Sequence, residues 1–136
     1  MQMRSFLRSA AAIAALSLCI PTLAPGQAAD RIETDARDLL QQYSAALESL
    51  NADAVKKLQP SIDLESLKKA FKEMRALDVT IDNIKVLSVD ATLARVSCRV
   101  SQTLTPKAGS KQTTAVTRVL RLRRVQTGWV IDAFER

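Results

Sequence analysis

Tyr43, Gln102, Arg118 and Trp129 are the side chains whose type and position best suit them to meet a small ligand. Gln102 continues the apolar parity of Ala94, Val96, Cys98 and Val100, and Arg118 stands between Val116 and Leu120 on the apolar parity of a second alternating run. A polar group buried without a partner costs about 1 to 3 kcal/mol, so both positions need an explanation. One is a lined pocket, in which the guanidinium pairs with a ligand carboxylate and the amide orients it. The other is a strand end, where alternation relaxes and the side chains reach water. Tyr43 lies on an apolar helical stripe, where its hydroxyl meets either a ligand or a backbone carbonyl. Trp129 either covers the sheet as a core aromatic or turns a face to the same ligand.

Arg95, Arg99, Arg121 and Arg123 form a second constellation, because all four fall on the outward parity of their runs. Together they predict a basic patch on one sheet face, fit to dock on anionic lipid, wall polymer or an acidic protein, or else a solvated surface balanced by Asp132 and Glu135. A two-residue turn at Thr127-Gly128 would set Arg123 opposite Asp132 and Arg121 opposite Phe134 on that outer surface. Nucleic acid is not an expected partner, since no aromatics interleave with the arginines.

What the chain lacks narrows the chemistry. It has no histidine, which excludes imidazole bases, Ser-His-Asp or Cys-His machinery and histidine-based zinc sites. No metal motif or cofactor fingerprint is present, so neither a metal nor a cofactor is expected. Cys98, flanked on its own parity by Val96 and Val100, is expected to pack in the core, where burial raises a thiol's pKa. No acidic residue falls on the inward parity of the second and third strands. An enzyme built here would have to pair Tyr43 with an acid from a helix or loop, such as Asp63 or Asp78.

The positioning elements follow from periodicity. From Ile32 to Leu50 the apolar residues recur at steps of three and four, which predicts an amphipathic helix. Asn51 caps a short second helix that must stop before Pro60, and Asp63 caps a third with apolar face Leu64, Leu67, Ala70, Phe71 and Met74. After Arg75 the period changes to two. Leu77, Val79 and Ile81 share one parity and Ile84 and Val86 the other, which predicts a bulge near Asp82 and Asn83. Four strands in an antiparallel meander complete an α+β domain.

The N-terminus has a different logic. Arg4 and Arg8 precede an apolar run from Ala10 to Ile20 and a turn-forming, small-residue stretch to Ala29, the three regions of a secretory signal peptide. Residues 1–28 are therefore expected to be removed after Ala28, leaving the domain at 29–136 in the periplasm or medium. The run is too short for the roughly 20 apolar residues that span a bilayer, so no transmembrane anchor is expected after cleavage. Leu18 before Cys19 fits lipid modification poorly. Loss of Arg4 and Arg8 leaves 18 basic against 14 acidic residues, a net charge of +4. Loss of Cys19 leaves Cys98 alone, so no intramolecular disulfide can form.

Helix, short helix, helix and four long strands ending in Gly128-Trp129-Val130-Ile131 resembles the nuclear transport factor 2-like superfamily. The resemblance rests also on Tyr43-Ser-Ala-Ala-Leu-Glu-Ser-Leu-Asn-Ala-Asp-Ala-Val, Gln59-Pro60-Ser61 and Leu67-Lys-Lys-Ala-Phe71, and is strongest to small exported or kinase-appended bacterial members. It implies a cone, in which three N-terminal helices pack on a curved four-stranded antiparallel sheet and leave a pocket at the open end. Members include isomerases, dehydratases and hydrolases, whose isomerase types use an acidic base with a tyrosine or protonated acid, as well as non-catalytic binding or dimerising domains. With the catalytic groups missing, the expectation is a non-enzymatic exported domain that binds a small ligand or protein partner, plausibly as a homodimer through the sheet. The alternatives are a small isomerase- or dehydratase-like enzyme and an envelope-docking module acting through the arginine face.

Overall fold

The computed structural model describes residues 25–135, so the expected signal peptide lies, except for its last four residues, outside the described residues. Three helices, α1 (Pro25–Glu48), α2 (Ala52–Leu58) and α3 (Leu64–Lys72), precede four strands, β1 (Met74–Val89), β2 (Leu93–Pro106), β3 (Gln112–Val125) and β4 (Gly128–Glu135). The strands form one antiparallel sheet in the order β1-β2-β3-β4. This is the expected α+β architecture. Among the described residues no helix is long and apolar enough to cross a membrane.

α1 starts seven residues before Ile32, where the apolar stripe begins, because Pro25 pre-sets φ at a helix's first position and needs no intrahelical donor. Its stripe Ile32, Ala36, Leu39, Leu40, Tyr43 and Ala46 is buried against Leu77, Val79, Val96, Cys98, Leu120, Leu122 and Ile131 of the sheet. The helix closes with Leu50 in the left-handed region (φ 53°), its N–H donating to the Leu47 carbonyl and that of Asn51 to the Ala46 carbonyl. Asn51 then caps α2, its side chain accepting from the Ala54 N–H at 3.1 Å. Asp63 caps α3 in the same way, and its hydrogen bonds from Ser66 and Glu65 hold its carboxyl below the usual range. α3 ends two residues earlier than its periodicity suggests: it stops at Lys72, Met74 belongs to β1 and Ala70 is exposed.

The expected bulge on β1 is present. Asp82 pairs with Arg99 and Lys85 with Ser97, and Asn83 takes a positive φ of 51°, which a short polar side chain tolerates. The β3–β4 hairpin departs from expectation. Val125 pairs with Gly128, so the turn residues are Gln126 and Thr127, with Gly128 (φ 139°) already in the strand. Leu122 pairs with Ile131 and Arg121 with Ala133, leaving Asp132 as an extra residue on β4. That one-residue bulge reverses parity beyond it. Phe134, expected outside opposite Arg121, is thereby paired with Leu120 and joined to the core.

Candidate functional site

Inside the sheet the inward residues form cross-strand layers. Val79, Gln102 and Thr114 make the rim, Ile81, Val100 and Val116 the next layer, Cys98 and Arg118 a third, and Leu120 with Phe134 a floor. α1 ends at Glu48, whose carboxylate accepts the Val79 N–H at 3.1 Å, and Leu47 is its last residue over this region. Leu77 and Val79 of β1 stay buried at this end, whereas Gln102, Thr114 and Val116 on β2 and β3 are exposed. The result is an open cavity of about 530 Å³, within the range of small-molecule pockets.

Tyr43, Gln102 and Arg118 all line this cavity. Gln102 and Arg118 are exposed, yet neither sits at a strand end: Arg118 is mid-strand on β3 and reaches water through the cavity mouth. Tyr43 is 8% exposed, with its ring 6.1 Å from that of Phe134. Its hydroxyl donates to the Gln59 Oε1 at 2.9 Å, a side chain rather than the backbone carbonyl expected. Gln59 is placed there because α2 must end before Pro60, which leaves Gln59 outside the helical region with its N–H on the Val55 carbonyl. Burial pushes the Tyr43 pKa to about 12, so the phenol stays protonated. Cys98 is fully buried, its thiol pushed up to about 11 by burial and then by the Asp82 charge.

Trp129 does not join them. It lines a separate cleft of about 600 Å³ between the N-terminal half of α1, the end of α2 and the β3–β4 hairpin, with Arg31, Asp35, Asp38, Lys57 and Arg124. The Arg124 guanidinium stacks 4.8 Å from the centre of its ring. Sequence reasoning missed Thr114 and Phe134 as cavity residues and Gln59 as the tyrosine's partner. Thr114 was signalled by sharing the parity of Val116 and Arg118, whereas Phe134 depended on a bulge with no local signature.

Among the described residues the cavity lining contains one charged side chain, Arg118, and no carboxylate. Asp63 is the exposed α3 cap and Asp78 faces outward opposite Thr103, so neither can serve Tyr43 as an acid–base partner. Among the described residues no three His, Cys, Asp or Glu side chains group to hold a metal ion. The outer arginines share one face, but three are ion-paired. Arg95 holds Glu135 at 2.7 and 3.0 Å, and Arg121 and Arg123 lie 3.9 and 3.6 Å from the bulged Asp132. The hydrogen bond from Arg95 holds the Glu135 carboxyl below its ordinary range.

No protein-family model matches the sequence, and no curated protein matches it. Solved structures do. A nuclear transport factor 2-like superfamily protein from Salmonella enterica serovar Typhimurium superposes with a TM-score of 0.64 at 13% identity, over 78% of this chain and 89% of that one. A candidate dehydratase of the NTF2-like family from Streptomyces avermitilis gives 0.64 at 14% identity, over 78% and 95%. The hexachlorocyclohexane dehydrochlorinase LinA-type3 from Novosphingobium barchaimii gives 0.59 at 12% identity, over 77% and 86%. The chain has the nuclear transport factor 2-like fold. At these identities the likeness concerns the fold alone.

Proposed function

We propose that this chain is an exported, non-catalytic domain that binds a small ligand in the cavity of its cone. The observation that carries this reading is the lining itself: apolar walls, one guanidinium, and a tyrosine whose hydroxyl is already committed to Gln59. Such a surface can hold and orient a molecule. Proton transfer needs a donor or acceptor within hydrogen-bond reach with a pKa near the working pH, and a phenol near 12 without a carboxylate beside it supplies none. Enzymes among the solved structures of this fold keep an isomerase- or dehydratase-like activity as the rival, and the absence of an acid from the described lining weighs against it. Ion pairing of Arg95, Arg121 and Arg123 likewise weakens the case for envelope docking through the sheet face. Export is supported by the order of Arg4, Arg8, the apolar run and the small residues before Ala28.

Native mass spectrometry of the protein purified from its own periplasm tests the reading. A mature chain beginning at Ala29 with a retained small mass is the expected result, and the same spectrum reports whether a homodimer forms. A bare polypeptide whose melting temperature responds to no small molecule in an extract of the same compartment would overturn it.

A further inference from the structure

Resting on the reading of the cone cavity as a ligand site, we infer that its ligand is a small carboxylate with an apolar body, anchored on Arg118. The charge of the cavity argues for an anion. Arg118 is the one ionised group in the lining, so among the described residues nothing there neutralises it. Its surroundings set it apart from the other arginines of β2 and β3. Arg95, Arg121 and Arg123 are paired with carboxylates, Arg124 lies on Trp129, and Arg99 stands directly opposite Asp82. Arg118 instead stands opposite Cys98, whose raised thiol remains neutral, and has no carboxylate within ion-pair distance among the described residues.

The walls argue for the body. Leu47, Val79, Ile81, Val100 and Val116 present hydrocarbon to the cavity, and Val116 is 42% exposed on the concave side, area a ligand's apolar part would cover. Gln102 and Thr114, paired with each other at the rim beyond the Val100–Val116 layer, add neutral donors there. A single planar guanidinium matches a carboxylate in both charge and fork geometry. A phosphate monoester, with about −1.5 to −2 charge at neutral pH, would leave excess charge against apolar walls.

Octanoate and its neutral isostere octanol, titrated calorimetrically into the purified protein after bound small molecules are stripped, separate these ideas. Octanoate should bind at least about tenfold more tightly, the value of one charge-assisted pairing. Arg118→Met should bring octanoate down to the octanol level without changing octanol, Arg118→Lys should restore part of the difference, and Arg99→Met on the outer face should change neither. The Trp129 near-ultraviolet signal and the melting temperature verify that the variants fold. Equal affinities for the two compounds, unaffected by Arg118→Met, would overturn the carboxylate assignment while leaving the cavity a ligand site, as would uptake of neutral Nile red without octanoate binding. Failure of all three probes would overturn both readings.

Discussion

At the scale of single residues, burial silences two groups of the cavity lining. Tyr43 and Cys98 both face apolar surroundings, and both hold their protons more tightly in the folded chain than in the unfolded one, with pKa values of about 12 and about 11. The consequence for stability has a definite sign. Between the unfolded and folded pKa values the native state binds more protons, so stability is complete below about pH 9 and is lost as pH rises through 11 and then 12. For each group this rise in pKa corresponds to about 2 to 3 kcal/mol, at about 1.36 kcal/mol per pH unit. Denaturant titrations from pH 7 to pH 12 should show a plateau followed by this decline, and Cys98→Ala should move its onset up by about one pH unit, to the ordinary tyrosine pKa near 10. The same thiol should react with a disulfide reagent at pH 7.5 only at the rate of unfolding, whereas an exposed cysteine reacts at once.

At the scale of elements, the placement of the site depends on two interruptions of regular structure. The stop before Pro60 sets Gln59 against Tyr43, and the Asp132 bulge turns Phe134 inward. Excising Asp132 should restore simple alternation with Ala133 still opposite Arg121 and Phe134 still opposite Leu120, whereas Phe134→Ala removes the ring that the bulge turned inward. We expect Phe134→Ala to lose up to about 3 kcal/mol, the low end for a phenylalanine because Phe134 is half-buried, read as a lower denaturation midpoint. Replacing Asp132 by Asn keeps the bulge and removes only its partly exposed pairing with Arg121 and Arg123, so it should cost little by comparison. Asn51→Ala removes the cap of α2 and should cost about 1 kcal/mol, a fall of roughly 4 to 8 °C in melting temperature for a domain of this size. Both caps were visible in the sequence because a cap is a local hydrogen bond, made within three residues of its own position. The Asn83 bulge was visible too, through the switch in parity between Ile81 and Ile84. The Asp132 bulge was not: β4 is eight residues long, and Ile131-Asp132-Ala133-Phe134 satisfies either register until β3 is laid beside it.

At the scale of the whole molecule, the cone arises because a long meander curls over one long helix that stops short of its far end. Covering that end should remove the site without unfolding the protein. Val116→Trp, at a position on the concave face already exposed to water, should fill the cavity, leave the melting temperature within about a degree or raise it, and abolish retention of any small molecule in the native mass spectrum. The sequence by itself determined the class of fold, the buried stripe of α1, the caps, the inward parity shared by Gln102 and Arg118, and the absence of imidazole chemistry. All of these follow from residue type and from periods of 3.6 and 2, which operate within a few residues. Only the tertiary structure decided that Trp129 belongs to a different cleft from Tyr43, that three of the four outer arginines have acidic partners, and that no carboxylate among the described residues reaches the phenol. Those facts depend on which strands meet, in what register, and how far α1 extends over them. Register is a relation between segments distant along the chain, and one extra residue in a strand is enough to change the face on which every later side chain stands.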